Sequence, residues 1–104
     1  MNNAPIHLIQ EIKTIVKTNH FDQDIEMING YAGISPISVQ PELYTLILKS
    51  LRLKELTGGT FDIFDSSSQG RYDAIEINPL LLSVYLPKSG MRISLNNIRA
   101  LDIN

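Results

Sequence analysis

The segment from Pro41 to Thr57, PELYTLILKSLRLKELT, most constrains what this chain can become. Proline suits the first helical position, because its φ is already helical and that N–H would be unpaired anyway. Glu42 complements the positive end of the helix dipole. Leu43, Tyr44, Leu46, Ile47, Leu48, Leu51, Leu53 and Leu56 then spread around much of the circumference. A helix apolar on so many sides is expected to be largely buried. Gly58-Gly59 ends it, the first glycine suited to a left-handed cap.

The rest of the chain must supply what buries that helix. Residues 5–19 predict a first helix, with Pro5 at its first position and Asn3 or Ala4 as its cap. Leu8, Ile9, Ile12, Ile15 and Val16 form one stripe, opposite Gln10, Glu11, Lys13, Thr14 and Lys17, and Asn19 stops it. Residues 20–40 read as an irregular connector punctuated by Asp22, Asp24, Asn29, Gly30, Gly33 and Pro36. Phe21, Ile25, Met27 and Ile28 can anchor it through a short helical turn. It is long for a bland loop, so it is expected to cover the core or to carry function.

After residue 72 the apolar period changes from helical to two. Ile75 and Ile77, then Leu82, Val84 and Leu86, then Met91, Ile93 and Leu95 alternate with polar residues. Asn78-Pro79 and Pro87-Lys88-Ser89-Gly90 supply the turns. The expected fold is α+β, with two helices packed on a three-stranded antiparallel β-meander. Its expected parts are a helical part at 5–57, a mobile loop at 58–72, the meander at 73–95 and a short turn or helix at 96–104. With 104 residues, one domain with one core is expected.

Composition removes several classes of function. The absence of cysteine excludes disulfides, thiolate metal sites and cysteine nucleophiles. A formal charge of −2 argues against a nucleic-acid surface, which needs a basic excess. Apolar runs of at most about three residues give no membrane span. The N-terminus lacks the pattern of a secretory signal, so a cytoplasmic location is expected. Trp is absent and aromatics make up 7%, which leaves little surface for stacking on bases. Any function must therefore come from motifs.

One segment carries such motifs: Val39–Phe64, VQPELYTLILKSLRLKELTGGTFDIF. It resembles the ApbE family, flavin transferases that move FMN from FAD to a protein hydroxyl with Mg²⁺. That family has an S-P-E-L start, a long aliphatic helix and an E-x-T-G-G-[AT]-F-D loop. The counterparts here are Pro41-Glu42-Leu43 and Glu55-Leu56-Thr57-Gly58-Gly59-Thr60-Phe61-Asp62. Upstream, Phe21 to Asn29 followed by Ala32-Gly33 resembles the family's loop ending in [LI]-N. Downstream, Gly90-Met91-Arg92-Ile93 is similar to its G-M-x-[IL] segment. The resemblance implies FAD and Mg²⁺ as cofactors, with Thr57, Gly58, Gly59, Thr60 and Asp62 as cofactor-binding residues. It also implies a flavin or flavoprotein as partner.

Departures from the pattern point the other way. The family's D-L-G-G-I-A-K-G-Y is replaced by Ser94-Leu95-Asn96-Asn97-Ile98-Arg99-Ala100-Leu101-Asp102. Both glycines, the acidic residue and the lysine–glycine pair are gone, and backbone can approach a pyrophosphate only where no Cβ intervenes. The family's first strands and its metal-binding C-terminal half have no counterpart here. The expectation is a cut-down, degenerate ApbE-like domain without independent transferase activity, retaining a flavin-related or assembly role. The alternatives are a small flavin enzyme completed by oligomerisation and a protein-interaction module. A homo-oligomer, such as a dimer, is expected to bury the surface that the missing half would cover.

Single residues are weighed the same way. Asp62 is either a flavin- or metal-facing carboxylate or, as favoured here, a cap on the Phe64 or Asp65 amide. Thr57-Gly58-Gly59-Thr60 could cradle a phosphate, yet it ends a helix whose C-terminus carries the wrong partial charge. His20, Asp22 and Asp24 fall short of a closed ligand set, so no metal residue is assigned. His7 reads as an exposed first-turn residue. Ser66-Ser67-Ser68 reads as a linker rather than a nucleophile, and Arg71, Arg92 and Arg99 as surface charges. No catalytic residue is assigned.

Overall fold

A computed structural model of the protein describes residues 4–69 and 74–101. Asn3, Arg71 and Asp102, and the ends of the expected meander and C-terminal turn, lie outside the described residues. The chain runs α1 (Ala4–Thr18), α2 (Asp22–Gly30), β1 (Ile37–Ser38), α3 (Pro41–Leu56), β2 (Glu76–Asn78), β3 (Ser83–Tyr85) and α4 (Asn96–Arg99). This is an α+β fold with a three-stranded antiparallel sheet, in the order β1-β3-β2. No helix among the described residues is long and apolar enough to cross a membrane.

The packing of α3 is more one-sided than its leucine content suggests. Leu43, Leu46, Ile47 and Leu53 are fully buried, with Tyr44 nearly so. Leu48 and Leu56 instead face outward with Glu42, Thr45, Arg52 and Glu55. Against the buried face lies α1, whose Ile12 is fully buried and whose Leu8, Ile9, Ile15 and Val16 flank it half-buried. Lys49 and Glu11 join the two helices by an ion pair at 2.5 Å. The core continues without a break into Phe61, Ile63, Phe64, Val84, Leu86, Met91, Ile93 and Ile98.

The expected irregular connector is mostly regular. Residues 22–30 form a nine-residue helix. Phe21 just before that helix and Ile25 and Ile28 within it recur at helical spacing; Phe21 and Ile28 are buried and Ile25 packs on the core. Ile37-Ser38 then becomes an edge strand, with Ile37 opposite Val84 and Ser38 opposite Ser83.

That edge strand changes the make-up of the sheet. The expected third meander strand, Met91–Leu95, does bury its alternating Met91, Ile93 and Leu95. It pairs elsewhere, through a bridge between Ile93 and Phe64 and the bonds Ser94 N–H to Ile63 C=O and Asp65 N–H to Arg92 C=O. The reason lies at the end of β3. Gly33 donates its N–H to the Leu86 carbonyl at 2.7 Å, so the chain before β1 takes the place a meander strand would need.

Gly33 is required there. Its φ is +75° and an added Cβ would stand 2.6 Å from the Ser89 nitrogen. Replacing Gly33 by Ala is expected to destabilise the fold by about 2–4 kcal/mol, from left-handed strain plus displaced backbone. Gly30 closes α2 with open space around it and no positive φ. Gly30→Ala is expected to be neutral or to stabilise by up to about 1 kcal/mol. Urea unfolding of the two variants measures both, and equal effects would contradict the packing described.

Candidate functional site

The motif residues converge where α3 ends. Thr57 caps α3, and Gly58 N–H reaches Glu55 C=O at 3.2 Å while Gly59 N–H reaches Lys54 C=O at 2.9 Å. This double pattern, with φ of +62° at Gly58, is a Schellman-type helix end that only glycine enters without strain. Thr60 N–H bonds to Thr57 C=O at 3.2 Å, and Phe61 N–H to the Thr57 hydroxyl at 3.1 Å. The same hydroxyl donates to Leu53 C=O at 2.9 Å. Thr57 thus closes the turn from the helix into the loop.

Asp62 does what its capping reading expects. Its Oδ1 accepts the Phe64 N–H at 3.1 Å, and its Oδ2 lies 3.3 Å from the Lys54 ammonium. That ammonium also sits 5.3 Å from the centre of the Phe64 ring. The carboxylate, only 13% exposed, therefore faces its own chain.

Two asparagines tie this loop and the Ile93 segment beside it to the rest of the fold. From α2, the Asn29 amide donates to Ile93 C=O at 2.9 Å and accepts from Ile93 N–H at 2.8 Å. Asn97, which stands where the resembled pattern has a glycine, donates to Asp62 C=O at 2.8 Å and to Phe64 C=O at 3.3 Å. Ser68 adds a third tie. It is buried, and its hydroxyl accepts the Arg92 N–H at 2.8 Å. A triple-serine linker reading misses this role, because a lone small hydroxyl gives no sequence signal of burial.

The remaining candidates do not join the site as ligands. Asp24 accepts the Gln40 N–H at 3.2 Å beside the start of α3, and the His20 carbonyl accepts from the Gln40 amide. Among the described residues no group of three or more His, Asp or Glu is arranged to hold a metal ion. His7 is exposed. A cavity of about 310 Å³ beside the site is lined by Asp22, Glu26 and Asp65 as well as Arg92 and Arg99. Carboxylates there oppose a polyphosphate. The N–H groups of Gly58, Gly59, Thr60, Phe61 and Phe64 are all engaged within the chain. These five donors are turned to the chain itself and are not free to cradle a nucleotide pyrophosphate.

Removing the Asn29 amide would leave both Ile93 backbone groups without their partner. Asn29→Ala is expected to destabilise by about 2–3 kcal/mol in chemical denaturation. A loss below about 0.5 kcal/mol would show that the bidentate bond contributes little. Asp65 supplies a pH test. The Ser67 hydroxyl holds its carboxyl below the ordinary value of 3.8, helped by the Ser66 and Ser67 amides and Arg92, against some desolvation. A depressed folded pKa contributes stability above the unfolded value that is lost as pH falls through the folded one. Asp65→Asn is expected to flatten the acid limb of stability below pH 3.8 while leaving its course near neutrality unchanged.

Among curated proteins none matches the chain. The sequence model of the ApbE family, however, matches residues 2–67. That span takes in α1, α2, β1, α3 and the whole Thr57–Asp62 turn, and stops before β2, so the likeness at Gly90–Ile93 lies beyond it. A match over well over half of the residues, taking in the helix and turn that organise the fold, places this chain in the ApbE family.

Proposed function

We propose that this chain is a degenerate ApbE-family domain that keeps the family's helical scaffold and has no FMN transferase activity of its own. The observation that carries this reading is the state of the Thr57–Asp62 turn. Its amides close the end of α3, its carboxylate holds Phe64 N–H and faces Lys54, and Asn97 bonds across it from α4. In a flavin-holding site those donors would point to the ligand. Here they stabilise the turn itself, so the motif persists for its structural value.

The flavin relationship of the family leaves an assembly role, and one feature favours it. The β2–β3 turn presents Leu80 at 92% and Leu81 at 64% exposure. Leu82, which follows, holds a strained positive φ of 48°. The Asn78 side chain braces this turn by accepting the Leu80 and Leu81 N–H groups. Two leucines on a braced, exposed tip suit contact with a second copy of the chain.

The test is a titration of FAD with and without Mg²⁺, followed by flavin fluorescence and by light scattering. No binding that depends on Asp62 is expected, together with a species larger than the monomer that Leu80→Ser/Leu81→Ser disperses. Saturable FAD binding weakened by Asp62→Ala would overturn the degenerate reading. A monodisperse monomer at high micromolar concentration would remove the assembly role.

A further inference from the structure

A second cavity lies away from the Thr57–Asp62 turn, between α1 and α4. Its volume is about 740 Å³, and it is lined by Gln10, Lys13, Thr14, Val16 and Lys17 of α1 with Ile98 and Arg99 of α4. Positions 10, 13, 14 and 17 share one helical face, so α1 presents two ammonium groups, an amide and a hydroxyl along one wall. Arg99 brings a guanidinium from the other wall. Half-buried Val16 supplies apolar surface, and Ile98 lies fully buried beneath it.

The charge of this groove runs against that of the chain. The sequence carries −2 overall, yet among the described residues three cations and no carboxylate line the cavity. Glu11, the acid on α1, is turned to Lys49 of α3. Lys13 is fixed by a hydrogen bond from its ammonium to the Leu101 carbonyl, a neutral acceptor. Like charges held together repel, so an arrangement of this kind gains when an anion enters it. Lysine and arginine together recognise phosphate, arginine through its planar fork and lysine as a point charge.

We infer that the groove between α1 and α4 binds a small phosphate-bearing molecule. Lys13, Lys17 and Arg99 hold the phosphate groups, while Val16 supports the body of the ligand. This inference is independent of the family reading, since none of these residues belongs to the Thr57–Asp62 turn. Gln10 and Thr14 can contribute polar contacts, although the Thr14 hydroxyl already donates to the Gln10 carbonyl at 2.9 Å.

Isothermal titration of the full chain with inorganic pyrophosphate, ATP and adenosine tests it. Saturable binding of pyrophosphate and ATP is expected, tighter for ATP if the apolar wall contributes, with none for adenosine. Lys17→Gln/Arg99→Gln is expected to weaken ATP by at least about tenfold, and raising salt from about 0.02 to 0.2 M to weaken it several-fold. Both side chains are exposed, so circular dichroism should show the variant folded. If it is not folded, Lys17→Gln alone serves, with a several-fold loss expected. Asp62→Ala should leave the binding unchanged, which separates this groove from the turn at the end of α3. No binding at millimolar phosphate ligand overturns the proposal. So does binding that the double variant retains, or adenosine binding as well as ATP. Self-association abolished by the double variant, without ligand binding, would assign the groove to a second copy and overturn it equally.

Discussion

Everything in this structure is hung on the buried face of α3. Leu43, Leu46, Ile47 and Leu53 lose all contact with water, and each such side chain contributes roughly 1.5–3 kcal/mol relative to exposure. Packing them against α1 fixes where α3 lies and so where it ends. The glycine-closed helix end then reverses the chain at Gly58-Gly59 and delivers Phe61, Ile63 and Phe64 back into the same core. Without that helix face the turn would have nothing to dock on.

Polar groups complete what burial begins. The segment from Met91 to Leu95 is apolar on one side and needs backbone partners on the other. It finds them in the loop at 63–65 and in Asn29, rather than in the sheet. Asn97 and Ser68 add ties between the same two segments, so the loop after α3 and the chain before α4 behave as one unit. The motif residues at the end of α3 thereby serve the fold itself. Once donors at a helix end serve the fold, replacing them disturbs the core next door.

Much of the architecture is legible from residue patterns. Both long helices start at or beside a proline and stop near the residues expected, and period two marks the segments that lie extended. The capping role of Asp62 follows from its short side chain two residues before an amide it can reach. Less legible was α2. Its punctuating Asp, Asn and Gly residues suggest a loop, while Phe21, Ile25 and Ile28 at helical spacing say otherwise, and burial decided in favour of spacing. The outward leucines of α3 misled in the opposite sense, since apolar residues on a surface are ordinary.

Residue patterns alone carry the α+β class and the helix ends written by proline and glycine, and the match over residues 2–67 carries membership in the ApbE family. These rest on local rules, in which each residue limits its own backbone and its near neighbours. It took the packed molecule to show that Ile37-Ser38, and not Met91–Leu95, flanks β3, and that Lys13, Lys17 and Arg99 share one groove. Strand partners and charge clusters join residues dozens of positions apart. Their choice depends on which surfaces the core has already claimed, and no local pattern records that.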